Sequence, residues 1–217
     1  GAGSRAPSRG TVRVGGRPVR SLSHKERAKL IAFVPQRPES VPDFSVFDVV
    51  RMGRYAHRKF LEDYTAGDDL AVLRALEETA VTHLAERSVK TLSGGELQRV
   101  YVARAFAQEA GILLLDEAAT GLDPAHAAAL FDRVRKRNRE SGTTVLSAVH
   151  DLNLAALYCD RLIFLRHGAV VADGPTRDVF TASVLERVYQ APFYILEHPA
   201  AGVPQALALP GKETPHG

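Results

Sequence analysis

"GILLLDE", residues 111–117, is a short, uninterrupted apolar run that ends in two acids. Such a run is typical of a parallel strand that is buried on both faces. It follows "LSGGELQRV", residues 92–100, in which a serine and two glycines stand directly before a helical pattern. A helix followed by a buried strand is the repeating unit of parallel sheets, so this part of the chain predicts an α/β fold.

Strand patterns continue on both sides of this stretch. Four segments carry them: "TVRVGGRPV" at 11–19, a hairpin around Gly15-Gly16; "KLIAFVPQ" at 29–36; "TTVLSAVHD" at 143–151, a buried strand ending at a histidine; and "DRLIFLRHGAVVADG" at 160–174, two strands around a turn at Gly168. Because helical segments separate most of these strands, we expect a parallel or mixed sheet.

Helical periodicity fills the intervals between the strands. Residues 68–86 place five apolar residues on one predicted helix face, namely Leu70, Leu73, Leu76, Ala80 and Leu84. The apolar positions after the glycines are Leu97, Val100, Ala103 and Phe106. A further helix is predicted from "DPAHAAALF", with Asp123 as N-cap and Pro124 in the first turn, and short helices are predicted within 176–190.

The composition excludes several classes of protein. The 217 residues are 45% hydrophobic and 24% charged, with a net charge of +3, the profile of a globular domain rather than of a nucleic-acid-binding arm. The single cysteine, Cys159, excludes an internal disulfide. No apolar run reaches the length of a membrane span or of a signal-peptide core, so we expect any membrane role to come through a partner.

Polar side chains end three of the predicted strands: Gln36, the pair Asp116 and Glu117, and His150. Ligands of open α/β sheets bind beyond the carboxyl ends of the strands. A carboxylate there can hold Mg²⁺, a second can polarise a water, and a histidine and a glutamine can sense a terminal phosphate. Each residue alone has an ordinary structural interpretation, but together they indicate nucleotide hydrolysis.

The serine and glycines at Ser93, Gly94 and Gly95 precede the start of a helix. Backbone N–H groups at a helix start lack intrahelical partners and carry partial positive charge, and glycine lets an anion approach them closely. The stretch therefore predicts a phosphate cradle. A plain serine-capped helix after a flexible turn is the alternative for the three residues taken alone.

Four motifs in order resemble those of the ABC ATPases, over nearly the whole chain. "LSGGELQRVYVARA" resembles the family signature, "ILLLDEAATGLD" the Walker B strand and D-loop, "VPQ" the Q-loop and "AVHDLN" the switch-histidine loop. The resemblance implies a P-loop NTPase-like α/β domain with an inserted helical subdomain. It implies a core at 1–39 and 92–180, a helical subdomain at 40–91 and a C-terminal tail at 181–217.

The resemblance also implies roles for individual residues, with ATP and Mg²⁺ as ligands. Asp116 would act on Mg²⁺, Glu117 would be the general base, and His150 would contact the γ-phosphate. Gln36 would touch the metal and link the site to a transmembrane partner. Because two family subunits pair head to tail, a second group would serve the nucleotide of the opposite subunit: Ser93, Gly94, Gly95, Glu96 and Asp123.

Finer features resemble importers of iron-siderophore complexes, haem or vitamin B12. They are "SVFDVVRMGRYAHRKF" after the Q-loop, the stretch that begins "HDLNLAALYCDRLIFLRHG", and the ending "VYQAPFYILEHPAAGVPQAL". The resemblance implies integral-membrane permease subunits, a second ATPase subunit in a homodimer and, indirectly, a substrate-binding protein as partners, with no nucleic acid. It places the chain at the cytoplasmic face of the cell membrane, as a peripheral subunit held by the permease.

The chain departs from the family at the phosphate loop, G-x-x-x-x-G-K-[ST]. No Gly-Lys-Ser or Gly-Lys-Thr occurs in the 217 residues, and Gly1-Ala2-Gly3 is open to interpretation as a remnant of the loop or as added residues. Since the loop supplies most donors to the β-phosphate, we expect an exposed sheet edge, weak ATP binding and negligible hydrolysis by this chain alone. A non-catalytic, degenerate ABC-like module is the alternative. Ala118, where relatives have proline, is expected to be harmless.

Overall fold

The computed structural model describes residues 7–36, 42–58 and 62–210. The chain forms two compact units, Gly1–Ala148 and Val149–Gly217. No helix in the described ranges is both long and apolar enough to span a bilayer.

The first unit is built on a parallel sheet of three strands. Its elements in chain order are β1 (Arg13–Val14), β2 (Arg17–Pro18), α1 (His24–Leu30), β3 (Ile31–Val34), α2 (Val46–Arg51), α3 (Ala66–Glu78), α4 (Gly94–Ala107), β4 (Ile112–Asp116), α5 (Pro124–Ser141) and β5 (Thr144–Ala148). Short 3₁₀ helices lie at Val19–Ser21, Met52–Ala56, Thr82–Leu84 and Val89–Thr91. The predicted hairpin around Gly15-Gly16 is confirmed as β1 paired with β2.

The sheet has the order β3-β4-β5, with both pairs parallel. One face is buried and carries Ala32, Val34, Leu113 and Leu115. On the other face Leu114 is half-buried and Leu146 of β5 is 59% exposed. The parallel strand predicted at "GILLLDE" is confirmed, but its predicted burial on both faces is wrong, because Ile112 and Leu114 are only half-buried. The prediction of a buried strand at β5 is also wrong, since its residues alternate between exposed and half-buried.

Helix α3 buries a face that overlaps the predicted one only in part, since Leu76 is the one predicted face residue of this helix that is buried. Leu70 and Leu73 are 56% and 46% exposed, while the residues packed inward are Ala71, Val72, Ala75 and Leu76. The helix also ends at Glu78, because Ala80 takes a left-handed backbone with φ 55°. Apolar residues recur every three or four positions on two adjacent faces of this helix, so tertiary packing decides which face is buried.

Helix α4 packs closely against the 3₁₀ helix Met52–Ala56. A Cβ placed on Gly53 would lie 2.2 Å from the carbonyl oxygen of Arg104, so only glycine fits at this crossing. Beside it the buried Arg54 donates from Nε to Asp68 Oδ1 at 2.9 Å and from Nη1 to the carbonyl of Ala107 at 2.7 Å. This arginine therefore joins α3 to the C-terminal end of α4.

The second unit packs helices against two antiparallel hairpins. Its elements are α6 (Leu152–Tyr158), β6 (Arg161–Arg166), β7 (Ala169–Pro175), α7 (Thr176–Val179), α8 (Ala182–Tyr189), β8 (Phe193–Glu197) and β9 (Pro204–Ala208). The predicted turn at Gly168 between β6 and β7 is confirmed, as are the short helices of 176–190. A buried cluster of Ala156, Phe164, Phe180, Leu185 and Ala206 forms the core of this unit.

Candidate functional site

Two of the predicted strand-end residues of the first unit meet. Gln36 lies two residues beyond β3 and Glu117 directly follows β4, and the two strands are parallel neighbours. The Gln36 amide Nε2 donates to Glu117 Oε2 at 2.5 Å. Asp116 is the last residue of β4 and is exposed. Three polar side chains are therefore gathered at the carboxyl edge of the sheet, where α/β proteins bind ligands.

Glu117 is held in an unusual backbone conformation. Its φ is 48°, in the left-handed region that L-residues with a Cβ rarely adopt. Its N–H donates to the carbonyl of Ala148 at 3.1 Å, and its own carbonyl accepts from the N–H of Thr120 at 2.9 Å. The Thr120 hydroxyl also donates to Glu117 Oε2, at 3.3 Å. Sequence analysis missed Thr120, although a hydroxyl three residues after an acid in a turn is a usable signal.

The turn at Ser93 is a capping box. Ser93 Oγ accepts from the N–H of Glu96 at 3.3 Å, and Glu96 Oε2 accepts from the N–H and the hydroxyl of Ser93, both at 2.8 Å. These hydrogen bonds from the Ser93 backbone and side chain lower the pKa of the Glu96 carboxyl. The alternative of a serine-capped helix is thus present in the structure. It does not exclude the cradle, since a cap uses only part of the free donors of a first turn.

No contact among the described residues requires a glycine at Gly94. A Cβ built on it meets no atom within 4 Å, and one built on Gly95 meets only Leu122, at 3.5 Å. The surface of the turn is therefore open to an incoming group, as a phosphate cradle requires.

The glycine turn borders a cleft of about 340 Å³. Eight residues line it: Ser93, Gly95, Glu96, Arg99, Gly121, Leu122, Asp123 and His126. Four residues predicted to contact the nucleotide of the opposite subunit therefore lie around one cleft, namely Ser93, Gly95, Glu96 and Asp123. Arg99, Gly121, Leu122 and His126 are additions that sequence analysis did not name as ligand-binding.

Asp123 is the N-cap of α5, as predicted. Its Oδ1 accepts from the N–H of His126 at 3.0 Å, and its Oδ2 contacts the His126 ring. The hydrogen bonds from the His126 backbone and ring lower the pKa of the Asp123 carboxyl. Pro124 occupies the first turn of the helix, where its missing N–H has no effect.

His150 belongs to the second unit. It is exposed and directly precedes Asp151, the N-cap of α6, whose Oδ1 accepts from the N–H of Leu154 at 2.9 Å. Within the described ranges no three side chains of His, Cys, Asp or Glu gather into a metal site. Asp116 and Gln36 remain the predicted metal-contacting residues, and both are oxygen donors of the kind that Mg²⁺ prefers.

The profile of the ABC transporter family matches residues 2–120. The ferric enterobactin transport ATP-binding protein of Escherichia coli (strain K12) is 38% identical over 209 residues, which cover 96% of this chain and 77% of that protein. The hemin import ATP-binding protein of Bordetella avium (strain 197N) is 40% identical over 205 residues, 91% of this chain and 77% of that protein.

The fold is also that of solved ATP-binding cassettes. A dimeric cassette in a post-hydrolysis state, MJ0796 bound to ADP and Pi, superposes with a TM-score of 0.69 at 26% identity, covering 79% of this chain and 75% of that one. With the strand-end acids, the glycine turn and the matched sequence in agreement, the chain belongs to the ABC transporter family and has the α/β fold of its ATPase cassettes.

Proposed function

We propose that this protein is the ATP-hydrolysing subunit of an ABC importer for an iron-siderophore or haem-type substrate. The observation that carries the proposal is the pairing of Gln36 with Glu117 at the ends of adjacent parallel strands, in a chain that also presents the open glycine turn. The substrate class rests on the relatives, which are named for ferric enterobactin and hemin transport. Neither of these relatives is named for cobalamin, which the sequence motifs alone suggest.

In the proposed reaction Glu117 accepts a proton from the water that attacks the γ-phosphate. A general base must lie within hydrogen-bonding reach of the proton that it takes, and its orientation decides the rate. Gln36 and Thr120 both donate to the same oxygen, Oε2, and so orient the carboxylate at the end of β4. His150 would contact the terminal phosphate from the loop that precedes α6.

Asp116 and Gln36 would hold a magnesium ion. When bound, Mg²⁺ neutralises charge that develops on the phosphate oxygens. The donor set fits this ion, since a carboxylate and an amide carbonyl are hard oxygen ligands. In the present arrangement the Gln36 amide nitrogen donates to Glu117, and its carbonyl oxygen is the atom that would contact the metal.

The cleft beside Ser93 would bind the nucleotide of a second ATPase subunit. Its free backbone donors, the helix start and Arg99 favour an anion, while Asp123 would lie at the seam between the subunits. The dimeric form of the cassette MJ0796 supports such a pairing. A homodimer at the cytoplasmic face of the membrane would dock on permease subunits and so complete the importer. A substrate-binding protein would deliver the substrate to the permease.

The phosphate-loop motif bears on what the 217-residue chain does by itself. The motif supplies backbone donors and a lysine for the β-phosphate, and no Gly-Lys-Ser or Gly-Lys-Thr sequence occurs in these residues. We expect weak ATP binding and negligible hydrolysis by this chain alone. The second candidate is a degenerate cassette that binds partners without hydrolysis.

The test is purification of the protein, tagged in its own gene, from membranes of its own host, followed by identification of its partners. A multi-span permease and Mg²⁺-dependent ATPase activity of the purified complex are expected. Glu117→Gln should lower that activity by about 100-fold or more, as removal of a general base does. Glu140→Gln, an exposed glutamate of α5, is the matched control and should leave it unchanged.

Each outcome decides between the candidates. A permease complex with activity that Glu117→Gln abolishes supports the importer. A permease complex without hydrolysis supports the degenerate cassette. Turnover by the isolated chain that Glu117→Gln abolishes would overturn the expected inactivity, and partners with no membrane protein among them would refute the transport role.

A further inference from the structure

The C-terminal tail forms a tightly built hairpin of β8 and β9. Its turn is closed by two backbone hydrogen bonds of 2.8 Å, from His198 N–H to Val203 and from Gly202 N–H to His198. Arg177 of α7 donates to the carbonyl of Gly202 at 2.7 Å. The hairpin is therefore an ordered element that is anchored to the rest of the second unit.

Asn153 of α6 is hydrogen-bonded to β9 by both ends of its side-chain amide. Its Oδ1 accepts from the N–H of Ala206 at 2.7 Å, and its Nδ2 donates to the carbonyl of Ala206 at 3.2 Å. The amide thus takes the place of a neighbouring strand along this edge of β9. Ala206 is only 8% exposed, so loss of the amide would leave two backbone groups with little access to water.

The same turn of α6 connects the hairpin to the predicted switch histidine. Leu152 packs against the cluster that contains Ala156 and Ala206, and Asp151 caps the helix start. His150 precedes that cap by one residue, so its Cα lies about 3.8 Å from that of Asp151. Because Asn153, Leu152 and Asp151 are all held, the direction in which the chain leaves the helix toward His150 is fixed as well.

We propose that Asn153 is a positioning residue and that the hairpin β8–β9 orients His150 through it. The inference rests on the proposed role of His150 at the terminal phosphate. The proposal gives a function to the tail sequence "VYQAPFYILEHPAAGVPQAL", which contributes no residue to the predicted hydrolysis site. A change at the hairpin would then alter the site without touching nucleotide.

The test uses NMR of the full chain without nucleotide. In Asn153→Leu, which keeps the bulk and removes both hydrogen bonds, the amide exchange rate of Ala206 should rise about tenfold. The His150 ring resonance should move toward that of an unstructured histidine, while the amides of Phe164 and Leu185 keep their protection. Leu207→Ala, which removes an exposed side chain of β9, is the control and should leave the His150 resonance in place.

One result overturns the proposal: faster exchange at Ala206 with an unchanged His150 resonance. If Asn153→Leu unfolds the unit, as lost protection at Phe164 and Leu185 would show, Asn153→Asp decides by the same readout. The aspartate keeps an acceptor for the Ala206 N–H and loses only the donor. Because no nucleotide is used, the outcome is independent of the ATPase assay that tests the proposed function.

Discussion

Glu117 is constrained in both its backbone conformation and its side-chain orientation. A left-handed backbone costs a residue with a Cβ about 1 kcal/mol, and such strain persists only where surrounding contacts hold it. Here the carbonyl of Ala148 and the N–H of Thr120 fix the backbone, while Gln36 and Thr120 hold the carboxylate. Both the position and the orientation of the proposed base are thus determined before any substrate arrives.

Substitution of Gly94 tests whether the fold of this chain needs a glycine at that position. Its φ is not in the left-handed region, and an added Cβ meets no atom within 4 Å. Gly94→Ala should therefore stabilise the isolated chain by about 0.5–1 kcal/mol, because alanine loses less backbone entropy on folding. Urea unfolding followed by circular dichroism measures the change.

Gly121 supplies the matched control for that substitution. It lines the same cleft and also has open space around its Cα, but its φ is 80°. Gly121→Ala should destabilise the chain by about 1 kcal/mol, the cost of left-handed backbone. Destabilisation by Gly94→Ala of similar size would show that the fold needs this glycine and would remove the argument for a cradle.

At the scale of elements, prediction from sequence succeeded where the signal was local. The hairpins around Gly15-Gly16 and Gly168 and the cap at Asp123 follow from turn and capping chemistry that neighbouring residues contain. Prediction failed where the burial of a face depends on tertiary packing. The inward face of α3 and the exposure of β5 depend on which surfaces other segments cover, and the periodicity of a strand or helix does not contain that information.

Prediction of the candidate site from sequence succeeded and failed for the same reasons. Gln36 and Glu117 were predicted together because parallel neighbouring strands bring their carboxyl ends to one edge. Thr120, Arg99 and His126 were missed, because their contribution depends on the path of the turn between β4 and α5 and on how α4 faces it. Roles for His150 and Asp116 stay predictions.

The contact between α3 and α4 depends on a buried ion pair. Burial opposes ionisation of Asp68, but the hydrogen bonds from Thr65 and Arg54 outweigh it and lower its pKa from 3.8 to about 2. Because the folded pKa is the lower one, the stabilisation is complete above pH 3.8 and is lost as pH falls through about 2. Stability should therefore decline over that acid window.

Asp68→Asn tests this pair. It should cost about 3 kcal/mol, because Arg54 is left buried with less compensation. The dependence of stability on pH between about 4 and 2 should also become flatter. Asp69→Asn is the adjacent control: Asp69 pairs with Arg51 but its side chain is 39% exposed, so about 0.5 kcal/mol is expected. Equal losses in the two variants would contradict a special role for the buried pair.

At the scale of the whole molecule, one face of the sheet is only partly covered by the described residues. Parallel sheets are usually covered on both faces, because their strands are apolar throughout. Here one face is buried, while Phe33, Ile112 and Leu114 are half-buried and Leu146 is exposed on the other. Apolar surface of this kind next to an unpaired strand edge favours association between copies of a chain.

Leu146 is the position at which that association can be reduced without loss of fold. The purified chain is expected to self-associate with rising concentration. Leu146→Lys should lower this association and change stability by less than about 0.5 kcal/mol, because the side chain is 59% exposed and a charge there opposes edge pairing. Leu113→Lys, on the buried face of the central strand, should instead unfold the first unit. Sedimentation velocity and thermal unfolding of the three proteins separate these effects, and undiminished association of Leu146→Lys would show that another surface is responsible.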